Sequence, residues 1–123
     1  MKMYANIEAE IIQYLSAKFK NLSVTQKVPK NRPEQFVTVQ RVGGGSDGLK
    51  RDFPLIAIQC WAANDYDASE LALQIDSVME SMPYEVESCY KYARNSMTEF
   101  ADPVSGQARY QISADMVTIL RRQ

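Results

Sequence analysis

The stretch Leu55–Ala62, LIAIQCWA, carries no charge and one amide side chain, and it constrains the fold more than any other part of the chain. A near-continuous apolar run of this length predicts a central β-strand covered on both faces. A bilayer span needs roughly 20 apolar residues, and no run in the sequence approaches that. A buried central strand requires neighbours to pair with and a layer to cover it, and the rest of the sequence supplies candidates for both.

Residues 36–42 are rich in aromatic and β-branched side chains and contain no Gly or Pro, which predicts a strand with Val37 and Val39 on one face and Phe36, Thr38 and Gln40 on the other. Residues 109–120 alternate cleanly, with Tyr110, Ile112, Ala114, Met116, Thr118 and Leu120 facing one way and Gln111, Ser113 and Asp115 the other. Residues 87–98 suit a further strand, and Asp102, Pro103, Ser105 and Gly106 supply turn chemistry after it. A short edge strand is expected over 23–28, before the bend imposed by Pro29 and Pro33. Two apolar stripes predict helices. Tyr4, Ile7, Ile11, Leu15, Phe19 and Leu22 form the first. Ala68, Leu71, Ala72, Ile75, Val78, Met79 and Met82 form the second, with Asp67 and Glu70 at capping spacing at its entry and Pro83 expected to end it. The order α-β-β-β-α-β-β predicts one α+β domain, a mainly antiparallel sheet of about five strands with two helices packed on one face.

Composition narrows the function. With 123 residues the chain has the length of one domain, and about two-thirds of its unfolded surface can be buried without metal or disulfide staples. The formal net charge of -1 provides no long-range field to gather a phosphate backbone, as a duplex-binding domain does. There is no histidine, so acid/base work near neutral pH would fall to strongly perturbed carboxylates, which argues against an enzyme. Cys60 and Cys89 have neither CxxC nor zinc-ligand spacing, and no export signal precedes them; they are expected to be buried free thiols in a reducing compartment.

Four groups of residues are candidates for chemistry. Gly43, Gly44, Gly45, Ser46, Asp47 and Gly48 predict a flexible inter-strand loop whose backbone N–H groups could cradle phosphate. The next residues, Leu49-Lys50-Arg51-Asp52, lack the Gly-Lys-Ser/Thr ending and run into a strand, so the phosphate-loop pattern is not met. Asp65, Asp67 and Glu70 are better explained by the helix start, and Ser46, Ser69 and Ser113 lack a nucleophile-elbow context. Lys27, Lys30, Arg32, Arg41, Lys50 and Arg51, with Tyr84, Tyr90, Tyr92 and Tyr110, suit either single-stranded nucleic acid or a protein interface, and the interface is preferred. Met79, Met82, Met97 and Met116 are expected to fill core gaps. The residues by themselves describe a binding or assembly module, with no catalytic, cofactor or metal position to assign.

A resemblance adds specificity. The strings VPKNRPEQFV at 28–37, VQRVGGG at 39–45, DFPLIAIQCWA at 52–62 and ASELA at 68–72, with the turn and strand from Asp102-Pro103 to GQARY at 106–110, resemble in order the tail terminator proteins of long-tailed bacteriophages. The resemblance implies a virion structural protein, assembled in the bacterial host cytoplasm, that forms a hexameric ring on the head-proximal end of the tail tube. Its implied partners are copies of itself, the tail tube protein and a head-tail connector protein. Duplex DNA would pass through the lumen without sequence-specific binding, and neither membrane nor cofactor is implied. Arg32, Arg41, Asp52 and Trp61 are then candidates for subunit contact, while Arg41 and Asp52 alternatively pair across one hairpin and Trp61 alternatively belongs to the core. The loop 43–50, with Gly43, Gly44, Gly45, Asp47 and Lys50, is a candidate to order on the tube protein, and Arg51 is a further candidate for subunit or partner contact. The alternatives are another head-tail connector component, a stopper or adaptor, and a small-ligand-binding module.

Overall fold

Leu55–Ala62 is the central strand of a mixed sheet in the computed structural model, which describes residues 1–121. In chain order the elements are α1 (Ile7–Lys18), β1 (Ser23–Thr25), β2 (Phe36–Gly43), β3 (Arg51–Asp52), β4 (Leu55–Ala62), α2 (Asp65–Glu85), β5 (Cys89–Glu99) and β6 (Ala108–Ile119). β4 lies between β2 and β6, antiparallel to both; β5 pairs antiparallel with the far edge of β6, and β1 adds to β2 in parallel. The two-residue β3 is not anticipated by the sequence. It keeps the register of β4 on β6, Asp52 opposite Thr118 as Leu55 is opposite Asp115, so β3 and β4 form one strand interrupted at Phe53-Pro54. Pro54 has no N–H to give the ladder, yet its carbonyl accepts the Met116 N–H at 3.0 Å.

Both helices cover one face of this α+β sheet. Val37 and Val39 of β2, Ile56, Ile58 and Cys60 of β4, and Ile112 and Met116 of β6 project into one buried cluster with Ile11 and Leu15 of α1 and Ile75, Met79 and Met82 of α2. The alternation expected for β2 and β6 therefore holds, and burial of these side chains contributes roughly 1.5–3 kcal/mol each. Polar ties fix the helices on the sheet. The half-buried Tyr92 hydroxyl donates to Asp76 at 2.7 Å and the Arg94 guanidinium pairs with the same carboxylate at 3.1 Å, joining β5 to α2. Tyr14 donates to Glu85 at 2.9 Å, with Lys18 at 2.8 Å from the same carboxylate, joining α1 to the end of α2. Burial first, and then this carboxylate, push the Tyr14 hydroxyl up to about 12.

Several local expectations change. β4 is covered by helices on one face only; on the other, Thr38, Gln59, Gln111 and Ser113 form a hydrogen-bonded row with links of 3.4, 3.1 and 3.1 Å. α1 begins at Ile7 because the Asn6 side chain caps it, accepting the Ala9 N–H at 3.3 Å, and Tyr4 instead bridges Leu120. At α2 the cap is Asn64, not Asp67. Asn64 Oδ1 accepts the Asp67 N–H at 2.8 Å while its amide donates to the Asp67 carboxylate at 3.0 Å, a reciprocal pair that places Asp67 one turn inside the helix. Pro83 lies within α2 and does not end it. Near a C-terminus a proline forfeits one backbone bond, and the last turn still closes through Val86 N–H to the Met82 carbonyl at 2.8 Å. Cys60 and Cys89 are free and buried, and burial raises the pKa of both thiols.

Replacing the cap should measure its contribution. Asn64→Ala is expected to cost about 1 kcal/mol, seen as a lower urea midpoint with an unchanged denaturant slope.

Candidate assembly interface

The glycine-rich stretch after β2 is a folded hairpin and not a loose loop. Phe53 N–H donates to the Gly45 carbonyl at 2.8 Å and Asp47 N–H to the Arg51 carbonyl at 3.0 Å, with a bridge between Ser46 and Asp52. At the tip one oxygen of Asp47 accepts the N–H groups of Leu49, Lys50 and Arg51 at 2.8, 2.9 and 3.0 Å. The Arg51, Leu49 and Lys50 amides accordingly hold this carboxyl below its ordinary pKa. The expectation of flexibility fails because Asp47 satisfies amides that a mobile loop leaves to water. Gly44 has φ +98°, and a Cβ built there would stand 1.9 Å from the Phe53 carbonyl oxygen, so the close approach of the two hairpin arms requires glycine.

At the root of the hairpin Arg41 grips Asp52 with two nitrogens, at 2.6 and 3.0 Å, and donates to the carbonyls of Gly43 and Gly44 at 2.9 and 3.2 Å. Its backbone N–H donates to Glu8 of α1 at 3.0 Å, so the same residue ties the hairpin to the helix layer. The Asp52 side chain is 6% exposed, and a bidentate guanidinium is the partner that makes a carboxylate tolerable there. The hydrogen bond to Asp52 is the main cause of the raised Arg41 pKa. Of the two sequence readings of Arg41 and Asp52, the structure displays pairing across one hairpin within the chain.

Trp61 sits at the opposite end of β2, opposite Phe36, and is only 2% exposed. Its ring stacks on Phe36 with centroids 5.0 Å apart, and the guanidinium groups of Arg109 and Arg32 lie 4.8 and 5.3 Å from it. Trp61 is thus core on the helix-free face, as its alternative reading held. Arg32 continues to Asp102 at 3.4 Å, Ser105 at 3.1 Å and Gln107 at 3.2 Å, pinning the segment before β2 to the turn between β5 and β6. Arg109 also covers Phe100 at 4.1 Å. Sequence reasoning missed Arg109 and Phe100. The signal for Arg109 lies in the β4/β6 register, which places it directly across from Trp61.

The ten candidate residues therefore divide between two places. Arg41, Gly43, Gly44, Gly45, Asp47, Lys50, Arg51 and Asp52 belong to the hairpin, and Arg32 and Trp61 to the cluster at the other end of β2. The tyrosines also separate. Tyr84 and Tyr90 are 91% and 71% exposed, whereas Tyr92 and Tyr110 pack against the core and do not join the basic residues as an exposed platform.

Two substitutions probe these anchors. Arg41→Ala leaves the Asp52 carboxylate without its guanidinium and should cost about 2–3 kcal/mol by chemical denaturation, less than a fully buried pair because Arg41 is 30% exposed. Asp102 is held down at about 2 by the Ser105 hydroxyl, then by the Val104 N–H and Arg32. A depressed carboxylate pKa contributes stability above its unfolded value, near 3.9, and loses it as pH falls toward the folded one. The stability difference between wild type and Asp102→Asn should be full at neutral pH and shrink as pH falls from about 4 toward about 2.

Comparison with known proteins assigns the chain to no family: no family model matches it, and no curated protein matches it.

Proposed function

We propose that the chain is a structural protein of a phage tail, a tail terminator that caps the head-proximal end of the tail tube as a ring. It ends polymerisation of the tube protein and offers the surface to which the head-tail connector joins. It acts by fit and transforms no substrate. The observation that carries this reading is that the strings resembling the terminator family meet one another in space. Arg32 of the first reaches Asp102 of the last, Phe36 stacks on Trp61, and Arg41 grips Asp52, so the resembling residues form the contacts that shape one face and one protruding hairpin. A subunit that stops a growing tube must present a rigid surface, since ordering a loose one would cost roughly 1–2 kcal/mol per residue. A hairpin with an internally capped turn and a bidentate anchor supports that requirement. The formal net charge of -1 suits a ring through which duplex DNA slides, because counterion release then gives the wall little affinity for phosphate.

Electron microscopy of particles made without this protein tests the reading. Overlong, headless tails are the expected outcome. Tails of normal length beside leaking heads would reject a terminator and assign the chain to a stopper or adaptor.

A further inference from the structure

Charge is segregated along this chain. Residues 11–33 hold five cations and no carboxylate, whereas α2 holds six carboxylates and no cation. Part of the imbalance is settled within the chain, where Lys18 pairs with Glu85, Arg32 with Asp102 and Arg94 with Asp76. Among the described residues no salt bridge engages Lys27, Lys30, Glu70 or Glu80. The Tyr66 hydroxyl bonds to Glu70 without bringing a positive charge, and the carboxylate raises the pKa of that hydroxyl. Each set of charges flanks an exposed apolar side chain. Tyr66, Leu73 and Tyr84 are exposed along one stripe of α2, with Leu73 between Glu70 and Glu80. After β1, Val28 is 38% exposed between Lys27 and Lys30.

The two sets lie on opposite sides of the sheet. The exposed stripe of α2 is opposite the stripe of Ala72, Ile75 and Met79 that enters the core, so it faces away from the strands. The basic segment is tied at both ends to side chains of the helix-free face. Gln40, on the face of Phe36 and Thr38, donates to the Gln26 carbonyl at 3.3 Å, and Arg32 lies over Trp61. Between those ties the Thr25 hydroxyl donates to the Lys27 carbonyl at 2.6 Å. The sheet and the helix itself therefore stand between the basic segment and the acidic stripe of one chain.

We infer that the α2 stripe of one copy is covered by residues 26–32 of a second copy, with Val28 against Leu73 and with Lys27 and Lys30 against Glu70 and Glu80. Charge complementarity selects this segment over the hairpin, where Asp47 and Asp52 accompany Lys50 and Arg51. Unlike patches on each copy make the contact heterologous, the type that closes into a ring when its rotation permits. The ties to Gln40 and Trp61 fix the segment in advance, so association orders little new chain. The charges set register and encounter rate, and the apolar side chains supply buried area. This inference rests on the reading of the chain as a ring subunit and names the contact that would join the ring.

Cross-linking between copies tests it. One copy carries Val28→Cys and the other Leu73→Cys, while the native Cys60 and Cys89 stay buried. Mixed under mild oxidation, the two should form a disulfide-linked heterodimer about tenfold faster than Leu73→Cys with Leu49→Cys, a hairpin position 72% exposed beside Lys50 and Arg51. Adding Lys27→Glu and Lys30→Glu to the first copy should return the rate to that control, and adding Glu70→Lys and Glu80→Lys to the second should recover it. Lys50→Glu and Arg51→Glu on the first copy change its net charge by the same amount and should leave the rate as it was. A rate no greater than the control, one indifferent to the reversals at 27 and 30, or one equally sensitive to those at 50 and 51 overturns the inference, including when the protein is monomeric. Solution mass keeps the two claims apart. A closed ring without the cross-link rejects this contact and leaves the ring standing, whereas the cross-link in chains that never close rejects the ring and leaves the contact.

Discussion

The unbroken antiparallel register between β6 and the bent strand β3–β4 is the constraint on which the rest of the structure depends. It runs from Ala62 opposite Ala108 to Arg51 opposite Ile119, crossing a proline that gives no hydrogen to the ladder. Because side chains alternate with a period of two, a slip of one residue would turn Ile56, Ile58 and Cys60 out of the helix-covered core and expose them. The same register places Arg109 across from Trp61 and roots the hairpin on β6 at Arg51 and Asp52. One ladder thus positions the aromatic cluster at one end of the sheet and the hairpin at the other.

The two ends solve a common problem differently. Each carries charge next to a largely dehydrated group. At the hairpin root a carboxylate is neutralised by a guanidinium that also satisfies two carbonyls, so geometry and charge are fulfilled by one side chain. Around Trp61 two guanidinium groups lie by an indole, and one of them, Arg32, continues to Asp102. There the planar cations cover an aromatic surface that no helix reaches, and they leave their charged edges for hydrogen bonds. The result is a sheet whose helix-free face is closed at one end by stacked rings and guanidinium groups and crossed in the middle by the Thr38, Gln59, Gln111 and Ser113 row.

For a protein whose proposed work is contact, stiffness matters as much as composition. The hairpin carries exposed apolar and basic groups on a frame of short hydrogen bonds, so its tip is held in position before any partner arrives. Preorganisation lowers the entropy lost on association and makes the fit selective for a surface of matching shape. Met79, Met82 and Met116 fill the core behind this frame, as their spacing suggested, and the half-buried Met97 packs against it.

The sequence by itself determined the class of fold, the faces of β2 and β6, the existence of a central β4 and the existence of both helices. Those are matters of local period, and a stripe of apolar residues has one way to be buried. It also offered the pairing of Arg41 with Asp52 and the burial of Trp61, each as one of two readings. Tertiary structure alone decided between them, since only the β2/β4 pairing sets Phe36 against Trp61, and the hairpin that grows from it carries Asp52 back to Arg41. It likewise decided the Asn64 cap over Asp67, the passage of α2 through Pro83, the ordering of the glycine stretch by Asp47 and the placing of Arg109 on Trp61. Each of these turns on a partner one turn away or across the sheet, and linear spacing carries no information about which of several available partners lies within bonding distance.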